Sequence, residues 1–116
     1  MKKVLIVEDD EYIQRTYQIR LQDKIKVLSA YSLEEGRQLF SEHHDLDAIV
    51  MDACVDNIRT VDSDILVKEF RKSFFGPMIA ASGVPEFGDF LVEAGCDFKS
   101  PKGDVSKKLL EILGEN

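Results

Sequence analysis

Several side chains with chemical potential fall directly after apolar runs of the chain. Glu8, Asp9 and Asp10 follow the run at residues 4–7 (VLIV), and Asp52 follows the run at 48–51 (AIVM). Ser82 follows the run at 77–81 (PMIAA), and Lys102 lies just beyond the weakly apolar stretch 96–100. If the first and third runs are neighbouring strands, at least three carboxylates meet in one crevice. Like charges held that close repel, and burying them costs several kcal/mol. A hard divalent cation relieves this repulsion, and magnesium takes carboxylate, carbonyl and water oxygens. The Ser82 hydroxyl and the Lys102 ammonium add donors for an anion. Carboxylates, metal, hydroxyl and ammonium together make a site for phosphoryl transfer, where positioning and charge neutralisation carry most of the catalysis.

The elements that must position these groups can be read from periodicity. The continuous run 4–7 predicts a strand buried on both faces. A helix over 11–22 follows, with Ile13, Tyr17 and Leu21 on one stripe and Asp10 as its N-cap. Residues 26–30 (KVLSA) read as a second strand. Ser32 and Glu35 then form a capping box ahead of a helix that buries Leu33, Gly36, Leu39 and Phe40. The third strand is 48–51, followed by a polar loop over 53–60 and a helix over 61–73 with Val61, Ile65, Leu66 and Phe70 inward. The fourth strand, 77–81, has Pro77 at its start, where a missing donor is tolerated. A short helix over 86–94 puts Phe87, Phe90, Leu91 and Ala94 on one face, read as core, and Gly95 ends it as a left-handed cap. Residues 96–100 give a poor fifth strand, and 104–113 a closing helix with Val105, Leu109, Ile112 and Leu113 inward. Five βα units in succession predict an α/β architecture with a parallel sheet. In such sheets the functional crevice lies at the carboxyl ends of the strands.

The whole chain sets bounds on this reading. Its 116 residues suit a single domain, 1–116, that buries roughly two thirds of its unfolded surface. With 44% hydrophobic and 32% charged residues it reads as a soluble globular protein, and no apolar run is long enough for a membrane span. Acidic residues follow the N-terminal apolar run at once, unlike a secretory signal, so a cytoplasmic location is expected. A net charge of −7 disfavours nucleic acid and anionic membranes as partners. Cys54 and Cys96 have neither zinc spacing nor a disulfide framework, and His43 and His44 sit at a helix end without a metal or catalytic partner.

At these residues the chain resembles the receiver domains of response regulators. The opening Val4-Leu-Ile-Val-Glu-Asp-Asp10 resembles their first strand and acidic pair, and Asp47-Ala-Ile-Val-Met-Asp52 their phosphoacceptor strand. Pro77-Met-Ile-Ala-Ala-Ser82-Gly83 resembles the strand that ends in a switch Ser/Thr. The similarity spans essentially the whole chain. It implies a doubly wound, flavodoxin-like (βα)5 fold with a five-stranded parallel sheet in the order 2-1-3-4-5. It also implies a role for each residue. Asp52 is the phosphoacceptor nucleophile, and Glu8 and Asp9 are the acidic pair that holds Mg2+ (or Mn2+) together with Asp52 and the backbone carbonyl of Cys54. Ser82 bonds the attached phosphoryl group and Lys102 pairs with one of its oxygens. The implied partners are a sensor histidine kinase or a histidine phosphotransfer protein in a two-component phosphorelay, with output through protein contacts.

The chain also departs from the family pattern. Asp56 stands where proline is usual, and the loop that follows has no glycine. The usual Lys-Pro pair reads Pro101-Lys102-Gly103, which leaves Lys99 as a second candidate for the site lysine. Lys99 also occupies the place of the usual aromatic, while Phe98 sits one residue earlier. Without Pro and Gly the loop is expected to be loose, with Asp56 adding negative charge beside the site. These departures motivate an alternative, a receiver-like interaction module that works without phosphate. A metal-dependent phosphohydrolase acting on a free substrate ranks lower, because a chain this short leaves little room for a substrate cap.

Overall fold

The computed structural model describes residues 1–57 and 59–115. The elements run β1 (Lys2–Val7), α1 (Glu11–Leu21), β2 (Ile25–Ala30), α2 (Leu33–Glu42), β3 (Ala48–Asp52), α3 (Asp64–Arg71), β4 (Met78–Ala81), α4 (Pro85–Ala94), β5 (Phe98–Ser100) and α5 (Val105–Leu113). The five strands form one parallel sheet in the order β2-β1-β3-β4-β5, so β2 and β5 are its edges. This is the doubly wound, flavodoxin-like architecture that the sequence resemblance implied.

The sheet separates two cores. Leu5, Val7, Ile49 and Met51 face one side, against Leu66, Val67 and Phe70 of α3 and Leu91 of α4. Val4, Ile6, Ala48 and Val50 face the other, against Tyr17 and Leu21 of α1 and Val105 and Leu109 of α5. Helices on both faces explain why the central strands read as continuous apolar runs rather than as alternating ones. Helix α2 comes close to β1 at Gly36, where an added Cβ would lie 2.9 Å from Val7 Cγ2.

Start signals in the sequence act as expected at two helices. The Asp10 carboxylate accepts from Ile13 N, and Ser32 Oγ accepts from Glu35 N. Glu35 reaches back to the amide of Tyr31, one residue before the cap residue itself. Gly95 caps α4 with φ 144°, in a conformation costly for other residues, and Arg71 packs where its Cβ would be.

Three expectations change. Helix α3 begins at Asp64 rather than at 61, because residues 62 and 63 are occupied in bonding the turn after β3. Its inward set is then Leu66, Val67 and Phe70, and Ile65 is 63% exposed. In α4, Gly88 and Leu91 face the sheet and Phe90 is 58% exposed, so Phe90 is not core. The fifth strand shortens to Phe98–Ser100, and a 3-10 turn at Lys102–Asp104 precedes α5.

Candidate functional site

Strand register builds the site. Val7 pairs with Met51 across β1 and β3, so Glu8, one residue further, comes level with Asp52. Asp52 in turn pairs with Ala81, so Ser82 stands just beyond it on the next strand. Side chains alternate along a strand. Ile6 and Val50 face α1 and α5, so Glu8 and Asp52, two residues on, point the same way. The same alternation separates the two lysines. Phe98 faces α1 and α5, while Lys99 turns to α4, where it lies over Gly88 and pairs with Asp89 at 2.6 Å. Lys102 reaches the carboxylates instead, 2.8 Å from Glu8 Oε1 and 3.3 Å from Asp52 Oδ1. Of the two lysines, Lys102 is thus the one beside Asp52.

These groups line a crevice of about 230 Å3 at the carboxyl ends of the strands, together with Asp9, Asp10, Cys54, Ser82 and Phe87. Glu8 is 1% and Asp52 4% exposed, while Asp9 is half-buried. One carboxylate oxygen from each of Glu8, Asp9 and Asp52 lies within 4.8 Å of the others. Burial, reinforced by the nearby Glu8 carboxylate, pushes Asp52 up to about 8, with Lys102 opposing the rise. For Lys102, burial disfavours the ammonium, but Glu8 and Asp52 outweigh it and raise its pKa. Burial, then the charges of Glu8 and Asp52, also drive the Tyr17 phenol upward. Glu8 Oε1 has the Lys102 ion pair but no aligned hydrogen-bond donor among the described residues, although it is buried. Three convergent carboxylates, one with an unmet acceptor, fit a hard divalent cation with oxygen ligands.

The remaining predicted residues are placed as follows. Ser82 borders the crevice, and its Oγ accepts from Val84 N, at the N-cap of α4. The Cys54 amide donates to Asp52 Oδ1 at 3.4 Å, and its thiol pKa is raised by burial and by Asp52, which makes it a poor nucleophile. Asp10 caps α1 and its amide donates to Glu8 Oε2 at 3.2 Å. Asp56 is turned elsewhere: its Oδ1 accepts from Leu33 N at the start of α2, and it does not line the crevice. Up to Asn57, the turn that was expected to be loose is anchored through its amides. The Asp62 carboxylate accepts from the amides of Val55, Asp56 and Asn57, each at 2.8 Å. Ile58 of that loop lies outside the described residues.

Two contributors were not anticipated. Gln14 is fully buried, and its Nε2 lies 2.9 Å from Ile6 O, 3.1 Å from Glu8 O and 3.0 Å from Ala30 O. It thereby ties the ends of β1 and β2 beside the acidic pair. A polar residue three before Tyr17 on the buried stripe is the available signal, but the apolar pattern favours Ile13 there. Ser63, also fully buried, donates to the carbonyl oxygen of Asp52 at 2.6 Å.

No protein-family model matches this sequence, and no curated protein matches it closely. Solved structures do match. A two-component response regulator from Clostridium difficile superposes with a TM-score of 0.84 at 20% identity, covering 98% of this chain and 97% of that one. A CheY-like receiver domain protein from Methanospirillum hungatei gives 0.78 at 21% identity, over 99% and 95% of the two chains. A response regulator from Burkholderia pseudomallei, solved with a phosphorylated aspartic acid, calcium ion and citrate, gives 0.82 at 18% identity over 97% and 66%. The fold is therefore that of response regulator receiver domains along nearly the whole chain. Among the described residues, no helix is long and apolar enough to cross a membrane.

Proposed function

We propose that this protein is a phosphoacceptor receiver of two-component signalling, phosphorylated on Asp52. The observation that carries the reading is the Asp52 carboxylate itself. It is buried at the floor of the crevice, 3.3 Å from the Lys102 ammonium and within 4.8 Å of Glu8 and Asp9 oxygens. A buried carboxylate among like charges is costly, and the Lys102 ammonium beside it offers a donor to an incoming phosphoryl group. The donor is a phosphohistidine of a sensor kinase or of a phosphotransfer protein. An Asp52 oxygen attacks phosphorus, the P–N bond breaks, and the histidine nitrogen keeps the electron pair and takes a proton. Glu8, Asp9, Asp52 and the Cys54 carbonyl would hold Mg2+ or Mn2+, which when bound neutralises carboxylate and phosphoryl charge. Lys102 pairs with a phosphoryl oxygen, and Ser82 turns its hydroxyl toward the group once attached.

The added charge is about −1.5 to −2 at neutral pH, enough to shift a population between two arrangements of Ser82 and the face beyond it. Output under this reading passes through protein contacts in the cytoplasm, without nucleic acid or membrane, in keeping with the net charge of −7. The phosphate-independent alternative gains nothing from the intact carboxylates and the site lysine. Intact mass after incubation with a small phosphodonor and magnesium tests the proposal. One phosphoryl group should add to the wild type and none to Asp52→Asn. An unmodified wild type, or equal modification of the variant, overturns it.

A further inference from the structure

The turn that leaves the phosphoacceptor strand lacks the proline and glycine of the family pattern, yet the amides of residues 54–57 and the carbonyls of Asp52 and Ala53 are bonded. Most of these bonds come from two consecutive residues at the entry to α3. Ser63 Oγ donates to the carbonyls of Asp52 at 2.6 Å and Ala53 at 3.1 Å, and the amides of Asp62 and Ser63 also donate to Ala53 O. On the other side of Cys54, the Asp62 carboxylate collects the amides of Val55, Asp56 and Asn57. Between these two anchors, the Cys54 amide donates to Asp52 Oδ1. The Cys54 carbonyl receives no donor from any described residue. The turn is therefore bonded on both sides of one backbone acceptor beside the acidic cluster.

We propose that Asp62 and Ser63 are positioning residues for phosphoryl transfer. From outside the crevice they hold Asp52 and the Cys54 carbonyl in place ahead of metal binding, doing the work that Pro and Gly do in the usual pattern. This rests on the reading of Asp52 as the phosphoacceptor. The physical reason is general. Groups behind a metal's ligands fix ligand orientation, and losing one typically costs about 10- to 100-fold in metal affinity. Asp62→Asn replaces an acceptor oxygen with an NH2 group facing amides, and Ser63→Ala removes the hydroxyl at nearly unchanged volume.

The test is a manganese titration of the full chain for wild type, Asp62→Asn, Ser63→Ala and Ser63→Thr, with Asp9→Asn as reference. Amide exchange of the metal-free wild type is measured alongside. Asp62→Asn should weaken manganese binding about 10-fold or more and Ser63→Ala several-fold, with Ser63→Thr restoring most of the loss. The amides of residues 55–57 should already be protected before metal is added. If wild type binds and Asp9→Asn does not, but Asp62→Asn and Ser63→Ala bind within about twofold of wild type, the positioning role is overturned and the phosphoacceptor reading stands. If wild type binds no manganese, that underlying reading fails. Should Asp62→Asn not fold, Ser63→Ala and the wild-type exchange decide, and rapid exchange at 55–57 in the metal-free protein overturns the proposal.

Discussion

The two ends of the sheet both carry buried or half-buried charge, and they treat it in opposite ways. At the amino ends of the strands the half-buried charges Arg71, Lys3 and Asp47 have partners. Arg71 donates to the carbonyls of Gly95, Phe74 and Gly76 and pairs with Asp97, whose carboxylate also accepts from Met78 N. Lys3 pairs with Asp45 at 2.7 Å, and its amide donates to Asp47. At the carboxyl ends, the cluster of Glu8, Asp9 and Asp52 has Lys102 as its near cation, and Glu8 Oε1 lacks an aligned donor among the described residues. Satisfied charge at one end joins α3 to β4 and β5. Unsatisfied negative charge at the other leaves electrostatic energy that a cation can release.

That contrast can be broken by mutation, with magnesium as the discriminating variable. Arg71→Met should be the most harmful, costing about 3 kcal/mol, because it strips donors from three carbonyls and a carboxylate. Denaturant unfolding should show the same loss with and without magnesium. A rescue by magnesium would mean the two ends are coupled and the contrast is false.

Asp52→Asn should act in the opposite direction, stabilising the metal-free protein by about 2 kcal/mol at pH 8. The sign follows from the raised pKa. The folded state holds the Asp52 proton up to about 8 and the unfolded chain releases it near 3.8, so ionisation costs the native state stability as pH rises across that window. The gain from the variant should therefore be small near pH 4 and grow toward pH 8, by thermal melts of both proteins in chelator. A gain that does not change with pH would place the charge penalty elsewhere.

Lys102→Met removes the near cation from two buried carboxylates. Its half-open position moderates the cost to about 1.5 kcal/mol in the metal-free state. Magnesium should recover most of it, since a cation can stand in for the ammonium. Lys3→Met, at the opposite end, breaks a pair whose Asp45 partner is 68% exposed, and should cost less than about 1 kcal/mol with no magnesium dependence.

The sequence made the central strands and the acidic cluster legible for one reason. A parallel strand buried on both faces is a continuous apolar run, and whatever follows it lies at the crevice. Glu8, Asp52 and Ser82 all followed from that. Lys102 against Lys99 did not, because β5 keeps only Phe98–Ser100 and three residues carry too little pattern to fix a register. Proline and glycine are not the only ways to hold a turn. Asp62 does so through its side chain, and local composition gives no sign of it. The same two residues delayed α3 to Asp64 and left Ile65 outside. Restoring the proline of the family pattern at position 56 should not stiffen this loop. Asp56→Pro would remove an amide that donates to Asp62, so it should loosen the loop rather than stiffen it.

The ends of the strand order bear on behaviour in concentrated solution. An open sheet exposes two rows of unpaired backbone groups, and such rows recruit other chains into aggregates. Here β5 offers a row of three residues, with exposed Lys99 at its centre and Pro101 directly after it, so little backbone is available to pair. The other border, β2, is six residues long but carries exposed Lys26 near its start, and Gln18 of α1 bonds Ser29 near its end. Lysines and a truncated border strand discourage sideways recruitment. Pairing of a second chain along either border of the sheet is thereby disfavoured.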